Sequence, residues 1–297
     1  MAMVRRRASL GRGLAWAALA AMIAVTVAPL LVMLRTAFEH PQAVFSGGAV
    51  LWPAEPTLVN FRRVLGGITP EQSLALGGSG AEIDFGRALL RSLVFTALVV
   101  VLQTLSCAMA AYAFARLRFP GQRVLFGAFV GSMMLPGVVL FIPNFIFVRD
   151  LGLLNTMAGM VAPFALMSGF AVFFLRQFFL SIPRELEEAA RLDGAGPFTI
   201  FWRVVLPLST GPLATLAMLT GIGAWNEFFW PFVVSPAEGT QVLPVALQAF
   251  KSQSPQGGQP DWTGLMAASA VALLPTLVLL VVAGRRVVES VQFSGGK

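Results

Sequence analysis

Few residues of this 297-residue chain can do chemistry, and most of them lie in one short stretch. The run Glu185-Leu-Glu-Glu-Ala-Ala-Arg-Leu-Asp-Gly-Ala-Gly196 carries Glu185, Glu187, Glu188 and Asp193, four of the chain's fourteen carboxylates, and Leu206-Pro207 follows it. Acids packed this densely between two long apolar runs suit contact with a soluble partner better than bond-making. A second polar pair, Asn226-Glu227, stands inside an apolar run. A carboxylate at the centre of a bilayer costs about 3 kcal/mol on insertion scales, so such a residue faces a cavity, a partner helix or the membrane interface. The rest of the inventory is mostly exclusion. No Gly-x-x-x-x-Gly-Lys-Ser/Thr phosphate loop occurs, so the chain is not expected to bind ATP in the usual way. With one histidine (His40), one cysteine (Cys107) and no His-Glu-x-x-His motif, neither a His/Cys metal site, a zinc protease nor a Ser-His-Asp set can be assembled. Metal sites are therefore expected to be none, and an internal disulfide is impossible.

The residues that position these groups are overwhelmingly apolar. The chain is 57% hydrophobic and only 12% charged, about half the charge of a soluble domain. Its net charge of +7 does not indicate nucleic acid, because the basic residues sit at the ends of apolar runs, where they set membrane topology.

Six runs reach the roughly 20 apolar residues that a spanning helix needs. They lie at about 14–36, 88–114, 123–148, 155–180, 206–232 and 264–284. The first has the basic flank of a signal peptide, but its apolar stretch is too long for a signal core, which favours an uncleaved anchor. Pro136 and Pro143 are expected to kink the third run. Arg5, Arg6, Arg7, Arg12, Arg116, Arg118, Arg123, Arg176, Arg184, Arg191, Arg203, Arg285, Arg286 and Lys297 fall on one side, leaving seven basic residues for the other. The richer side is expected to be cytoplasmic, with both termini inside. The chain then divides into a tail and first span at 1–37, an extracytoplasmic loop at 38–84, and a five-span core at 85–297 whose cytoplasmic loop covers 181–207. Segments 38–84 and 233–263 read as loops with little regular structure, the first containing Ser46-Gly47-Gly48 and Gly77-Gly-Ser-Gly80 and a short helix near Leu58–Leu65.

Within 181–207, residues 184–193 have high helix propensity. Pro183 suits a helix start, the early acids suit its positive end, and Gly194 suits its stop. Leu186, Ala189, Ala190 and Asp193 share one face. Ala189 and Ala190 allow another surface to approach closely, and Glu187 and Glu188 could pair with a partner's Arg or Lys. The pattern alone also fits an ordinary solvated loop helix. In the membrane, Trp225, Phe229 and Trp230 could stack on a sugar ring or form an aromatic belt, the belt being the expected role of Trp230. Gln103 and Asn144 are lesser polar candidates, expected to bond between helices.

Glu188-Ala189-Ala190, then Gly194, then Leu206-Pro207 resembles the signature loop of ATP-binding cassette importer permeases, with Val204 where the family usually carries Ile. Tyr112-Ala-Phe-Ala-Arg116 with Phe119-Pro120-Gly121, Leu154-Asn155-Thr156, Phe173-Phe-Leu-Arg-Gln-Phe-Phe179 with Ile182-Pro183, and Ala224-Trp225-Asn226-Glu227-Phe228-Phe229-Trp230-Pro231 are similar to carbohydrate-type permeases, over about residue 88 to the end. The resemblance is to the smaller, six-helix partner of the maltose/glycerol-phosphate type. It implies an all-α type I importer permease fold in the inner membrane. It also implies a second permease subunit, an ATPase dimer holding ATP and Mg, and an extracytoplasmic substrate-binding protein, with no cofactor on this chain. Glu187, Glu188, Ala189, Ala190, Asp193, Gly194, Leu206 and Pro207 then form the ATPase-coupling set. Asn226, Glu227, Trp225, Phe229 and Asn144 are the expected translocation-path residues. The implied function is inward movement of a sugar or oligosaccharide by alternating access, with a glycerol-phosphate ester as the second choice of solute. An ion-coupled secondary transporter using Glu227 is the competing class, and it would work without an ATPase.

Overall fold

The computed structural model describes residues 2–44, 52–81, 83–252 and 260–292, of which 2–11, 252 and 282–292 by backbone alone. All regular structure among these residues is helical. In chain order the helices are α1 (Ala2–Ala37), α2 (Val59–Val64), α3 (Pro70–Ala75), α4 (Phe85–Arg116), α5 (Gln122–Ser132), α6 (Phe141–Asp150), α7 (Met157–Ala165), α8 (Gly169–Ser181), α9 (Arg184–Leu192), α10 (Pro197–Ile200), α11 (Leu206–Leu208), α12 (Thr210–Trp225), α13 (Phe229–Val234), α14 (Leu243–Ala246), α15 (Ala249–Ser252) and α16 (Trp262–Gln292).

Three continuous segments, Arg12–Ala37, Phe85–Arg116 and Trp262–Val281, are long and apolar enough to cross a membrane. The other three expected spans are bent pairs. Gln122–Ser132 and Gly137–Asp150 meet at 102°, Met157–Ala165 and Gly169–Ser181 at 48°, and Pro197–Leu208 and Thr210–Trp225 at 80°. The two prolines of the third run therefore act differently. Pro136 stands at the break, in extended backbone before a 3-10 turn at Gly137–Leu140. Pro143 is the third residue of α6, where backbone N–H groups have no intrahelical partner, so its missing donor costs nothing. The expected fifth run at 206–232 is likewise not one helix: α12 stops at Trp225 and α13 begins at Phe229.

The chain forms two units, one of residues 1–85 with 247–273 and one of 86–246 with 274–297. In the first, the segment expected to be an irregular loop is built around a buried ion pair. Arg63 on α2 meets Asp261, and both side chains are 5% exposed or less. Asp261 also accepts from the Ser79 N–H and hydroxyl, each at 2.8 Å, and from Thr263 Oγ1 and the Gly264 N–H at 2.9 Å. The last of these bonds is an N-cap on α16. Arg63 Nε donates to Ser73 Oγ at 2.8 Å, and Asn60 Nδ2 donates to the carbonyls of Ala37 and Glu39 at 2.9 and 2.7 Å. Gly78 lies against the Arg63 guanidinium so closely that a Cβ there would overlap it. Within the Gly77–Gly80 run, Gly78 thus packs on Arg63 and Ser79 bonds to Asp261, whereas Ser46-Gly47-Gly48 lies outside the described residues.

Among the described residues of the second unit, two apolar clusters stand out. One joins Ala111, Tyr112 and Phe114 of α4 to Val172, Leu175 and Phe179 of α8 and to Ile200, Phe201 and Val205. The other joins Phe95 and Val99 of α4 to Val148, Met160, Trp230 and Val234. In lipid, such contacts are held by packing rather than by exclusion of water, so small residues that let backbones approach matter. Gly169 is one: a Cβ there would lie 2.5 Å from the Phe129 carbonyl oxygen of α5. Gly169→Leu is expected to cost about 1–3 kcal/mol by overpacking, read as a lowered Tm of the detergent-purified subunit. An unchanged Tm would show that α5 and α8 do not meet there.

Candidate ATPase-coupling site and translocation residues

The site starts from α9, whose termini are set by its sequence. Its N-cap is Pro183, in extended conformation. At its end, the Gly194 N–H donates to the Arg191 carbonyl at 3.0 Å and the Ala195 N–H to the Ala190 carbonyl at 2.9 Å. This is a Schellman stop, which requires a left-handed residue between the two donors' partners and the outgoing chain. Gly194 supplies it with φ +83°, and nothing lies within 4 Å of a Cβ built there. The glycine of the signature is therefore fixed by backbone conformation and not by crowding.

The faces of α9 differ from the expected ones. Glu187 points inward: it is 2% exposed, and its Oε1 lies 2.9 Å from Arg116 Nε at the end of α4. Its Oε2 accepts from Arg191 Nη2 at 3.4 Å. Glu187 is thus not available to a partner, because burying an acid requires a cation beside it, and this chain provides one. Ala190 is half-buried and packs on the α4–α8 cluster, so it supports the helix from below rather than facing outward. Leu186, Glu188, Ala189, Leu192, Asp193 and Gly194 are exposed. Leu192, at 90% exposure, leads this face, together with Glu185 and Glu188.

Downstream, Pro197 opens α10, and residues Phe201–Val205 form a π-turn. A proline in an α-helix clashes with the carbonyl four residues earlier and cannot donate to it. The π-turn shifts the ladder by one residue just before Pro207, absorbing that conflict. Leu206 packs half-buried on the cluster, and Pro207 is exposed. Both act on the route of the chain into α12, and the outward surface is made by α9.

The path candidates separate in the same way. Trp225 is 7% and Trp230 5% exposed, and Trp230 Nε1 donates to the Gly159 carbonyl at 3.2 Å. Both indoles belong to the packed interior, so neither a belt role for Trp230 nor ring stacking on a solute by Trp225 fits. Glu227 is not in mid-helix: it stands between α12 and α13, where its Oε1 accepts the Trp230 N–H at 3.1 Å. Asn226 is exposed, with Nδ2 on the Ile222 carbonyl at 2.8 Å. Phe229 is 55% exposed, with its ring 4.7 Å from that of Phe141 on α6. Asn144 lies one turn beyond Phe141 on α6 and is half-buried. Phe141 thus links the Phe229 and Asn144 segments. Asn155, at φ +58°, accepts the Ala237 N–H at 3.1 Å, and Thr156 caps α7 through the Gly159 N–H at 3.1 Å, which accounts for the Leu-Asn-Thr motif.

Residues 89–291 match the family described as binding-protein-dependent transport system inner membrane component. The chain belongs to this family. It is a multi-pass membrane permease of the ATP-binding cassette importer class, a transport component that works with an ATPase and a substrate-binding protein. It is 32% identical over 211 residues to a diacetylchitobiose uptake system permease protein of Streptomyces coelicolor, covering 71% of this chain and 69% of that one. It is 34% identical over 209 residues to an sn-glycerol-3-phosphate transport system permease protein of Yersinia pestis, covering 70% and 73%. A crystal structure of a bacterial ABC transporter involved in import of the acidic polysaccharide alginate has a chain that superposes with a TM-score of 0.77 at 26% identity, over 92% of this chain and 95% of that one. A permease of this class does not need Glu227 for ion coupling, and the secondary-transporter reading is set aside.

Sequence reasoning missed Arg116, the cation that meets the inward-turned Glu187. It falls inside a motif noted for resemblance, yet it did not stand out as the partner of an acid. The available signal was position: it is an arginine at the end of an apolar run, where an unpaired charge is costly.

Proposed function

We propose that this chain is one of two permease subunits of an importer in the cell membrane, with both termini cytoplasmic, and that α9 docks into a cleft of the ATPase. The ATPase dimer holds ATP and Mg, and this chain carries no cofactor of its own. Nucleotide-driven closure of the ATPases would displace α9 and turn the path between outward and inward access. The observation that carries this reading is the split of α9: one face is anchored by Glu187 and Ala190, while Glu188, Ala189 and the 90% exposed Leu192 stand free. An exposed leucine flanked by acids suits an apolar pocket rimmed by basic residues. The exposed Phe229 and Asn226, with Asn144 nearby on α6, are the residues we assign to the path, and Glu227 supports them by holding the start of α13.

The solute class favoured is a sugar or oligosaccharide, as for the chitobiose permease relative. A glycerol-phosphate ester is the second reading, supported by the comparable 34% identity to the glycerol-3-phosphate permease. Calorimetry of the cognate binding protein with diacetylchitobiose, trehalose and sn-glycerol-3-phosphate separates the two, and binding of only the phosphate ester would reverse the preference. The docking reading has its own test. Leu192→Asp is expected to abolish co-purification of the ATPase while leaving the subunit inserted and its Tm unchanged, since the side chain is 90% exposed. Normal ATPase recovery with this variant would overturn the assignment of α9.

A further inference from the structure

Arg116 is the residue on which three elements converge. It ends α4, and its side chain is 3% exposed. Its Nε pairs with Glu187 Oε1 of α9 at 2.9 Å. Its Nη2 donates to the Phe179 carbonyl at 2.6 Å and to the Ile182 carbonyl. These carbonyls lie at the end of α8, where Phe179 also accepts the Ile182 N–H, and in the turn into α9, where a cation is favoured. The contact is returned from the other side. Arg176 of α8 donates from Nε to the Phe114 carbonyl at the end of α4, at 3.2 Å, and its guanidinium lies 4.1 Å from the centre of the Phe126 ring of α5. Gln122 Nε2 adds a second donor to the same carbonyl at 2.9 Å. The ends of α4 and α8 therefore cap each other through crossed arginines, and Glu187 ties α9 to that joint.

We propose that the Arg116–Glu187 pair is a coupling strut, which makes α9 and the ends of α4 and α8 one rigid body, so that displacement of α9 reaches α4 and α8 without slack. The proposal rests on α9 being the ATPase-docking helix. Two physical points favour it over simple stabilisation. A buried ion pair contributes little net stability compared with apolar residues of similar size, so retention of charge points to geometric specification. The guanidinium also holds two carbonyls by directional hydrogen bonds while its charge faces Glu187, which a packed leucine cannot do. Without the pair, α9 would be joined to α8 only by Ile182-Pro183 and by apolar contacts that can slide.

The test uses the whole complex, with spin labels at Arg184→Cys on α9 and Val101→Cys on α4 and with Cys107 replaced by serine. Val101 lies about 22 Å along α4 from Arg116, within the range of pulsed dipolar measurement. Distances are compared between the nucleotide-free complex and the complex trapped with ATP and vanadate, which requires no knowledge of the solute. With Arg116 and Glu187 intact, the distribution is expected to stay narrow and unshifted on trapping. In Arg116→Gln and Glu187→Gln it is expected to shift and broaden on trapping, with ATP hydrolysis retained. A double Arg116→Met, Glu187→Met variant keeps the packing and removes the tie, and it is expected to behave like the single variants. A narrow, unshifted distribution in the double variant overturns the strut, as does a shift on trapping with the pair intact. Failure of all three variants to fold would make the pair a folding determinant and also overturn it. Failure of the docking reading is distinguishable, because Leu192→Asp would then retain the ATPase whatever the distances show.

Discussion

Asp261→Ala is expected to cost the first unit about 3–5 kcal/mol, the penalty for leaving a buried charge without its partner. The acid holds the Arg63 guanidinium, both groups of Ser79, Thr263 and the first turn of α16, so one truncation strips all of them. Hydrogen exchange over residues 57–81 should rise to the level of an open loop, while exchange in α8 stays protected. Replacing Arg63 and Asp261 together by leucines should cost much less, since no charge is then stranded. Equal exchange in wild type and Asp261→Ala would refute the role given to the pair. The same carboxyl sets a pH dependence. Burial alone would raise its pKa, but the Arg63 charge and the hydrogen bonds from Arg63, Gly264 and Ser79 outweigh burial and hold it below the usual carboxylate value. A lowered folded-state pKa adds stability that is fully present above the unfolded value of about 4 and is lost as pH falls through the folded value. Protection of 57–81 should therefore be flat from neutral pH down to about 4 and decline only below it.

The second large effect is expected at Gly194. Because φ is +83° and no atom crowds the position, substitutions should rank by tolerance of the left-handed region and not by size. Asparagine should retain most transport, alanine less, and valine almost none, with a left-handed penalty of about 1–2 kcal/mol for ordinary residues and more for a β-branched one. The measurement is uptake of the solute identified by the binding protein, at matched subunit levels. If alanine and valine transport equally well, the Schellman stop does not matter to docking.

Much of the coupling loop was legible in the sequence because its signals are local. The Pro183 start, the run of helix formers and the Gly194 stop are read within a dozen residues. The inward turn of Glu187 was not legible, because the cation that permits it sits 71 positions earlier, at Arg116, and nothing along α9 marks one acid as different from its neighbour. The same limit applies to Trp225 and Trp230. Their apolar bodies fit a belt, a sugar platform or a core equally well, and only the Gly159 carbonyl, far away in sequence, selects the core for Trp230. Asp261 and Arg63 are separated by 198 positions, which explains why a glycine-rich segment folded around a salt bridge read as a loop. The spans themselves were visible as apolar length, but three of them are broken, and apolar length does not report bending. Pro136 signalled its break and Pro143 gave a false one, the difference being only where each falls relative to a helix start.

The break at Pro136 also bears on what can surround this protein. Residues 131–140 are exposed along their whole length, and the chain turns through 102° there. Hydrocarbon offers no hydrogen bond to a main chain that has left its helix. Acyl chains are therefore a poor solvent for this elbow, although its side chains, Met133, Met134, Leu135, Val138 and Val139, are as oily as any lipid-facing surface. Met133, Met134, Leu135 and Val139 donate within the elbow, but any main-chain group left over at the break would find no partner in lipid. A segment under both constraints suits another protein surface or a water-filled cavity better than it suits acyl chains.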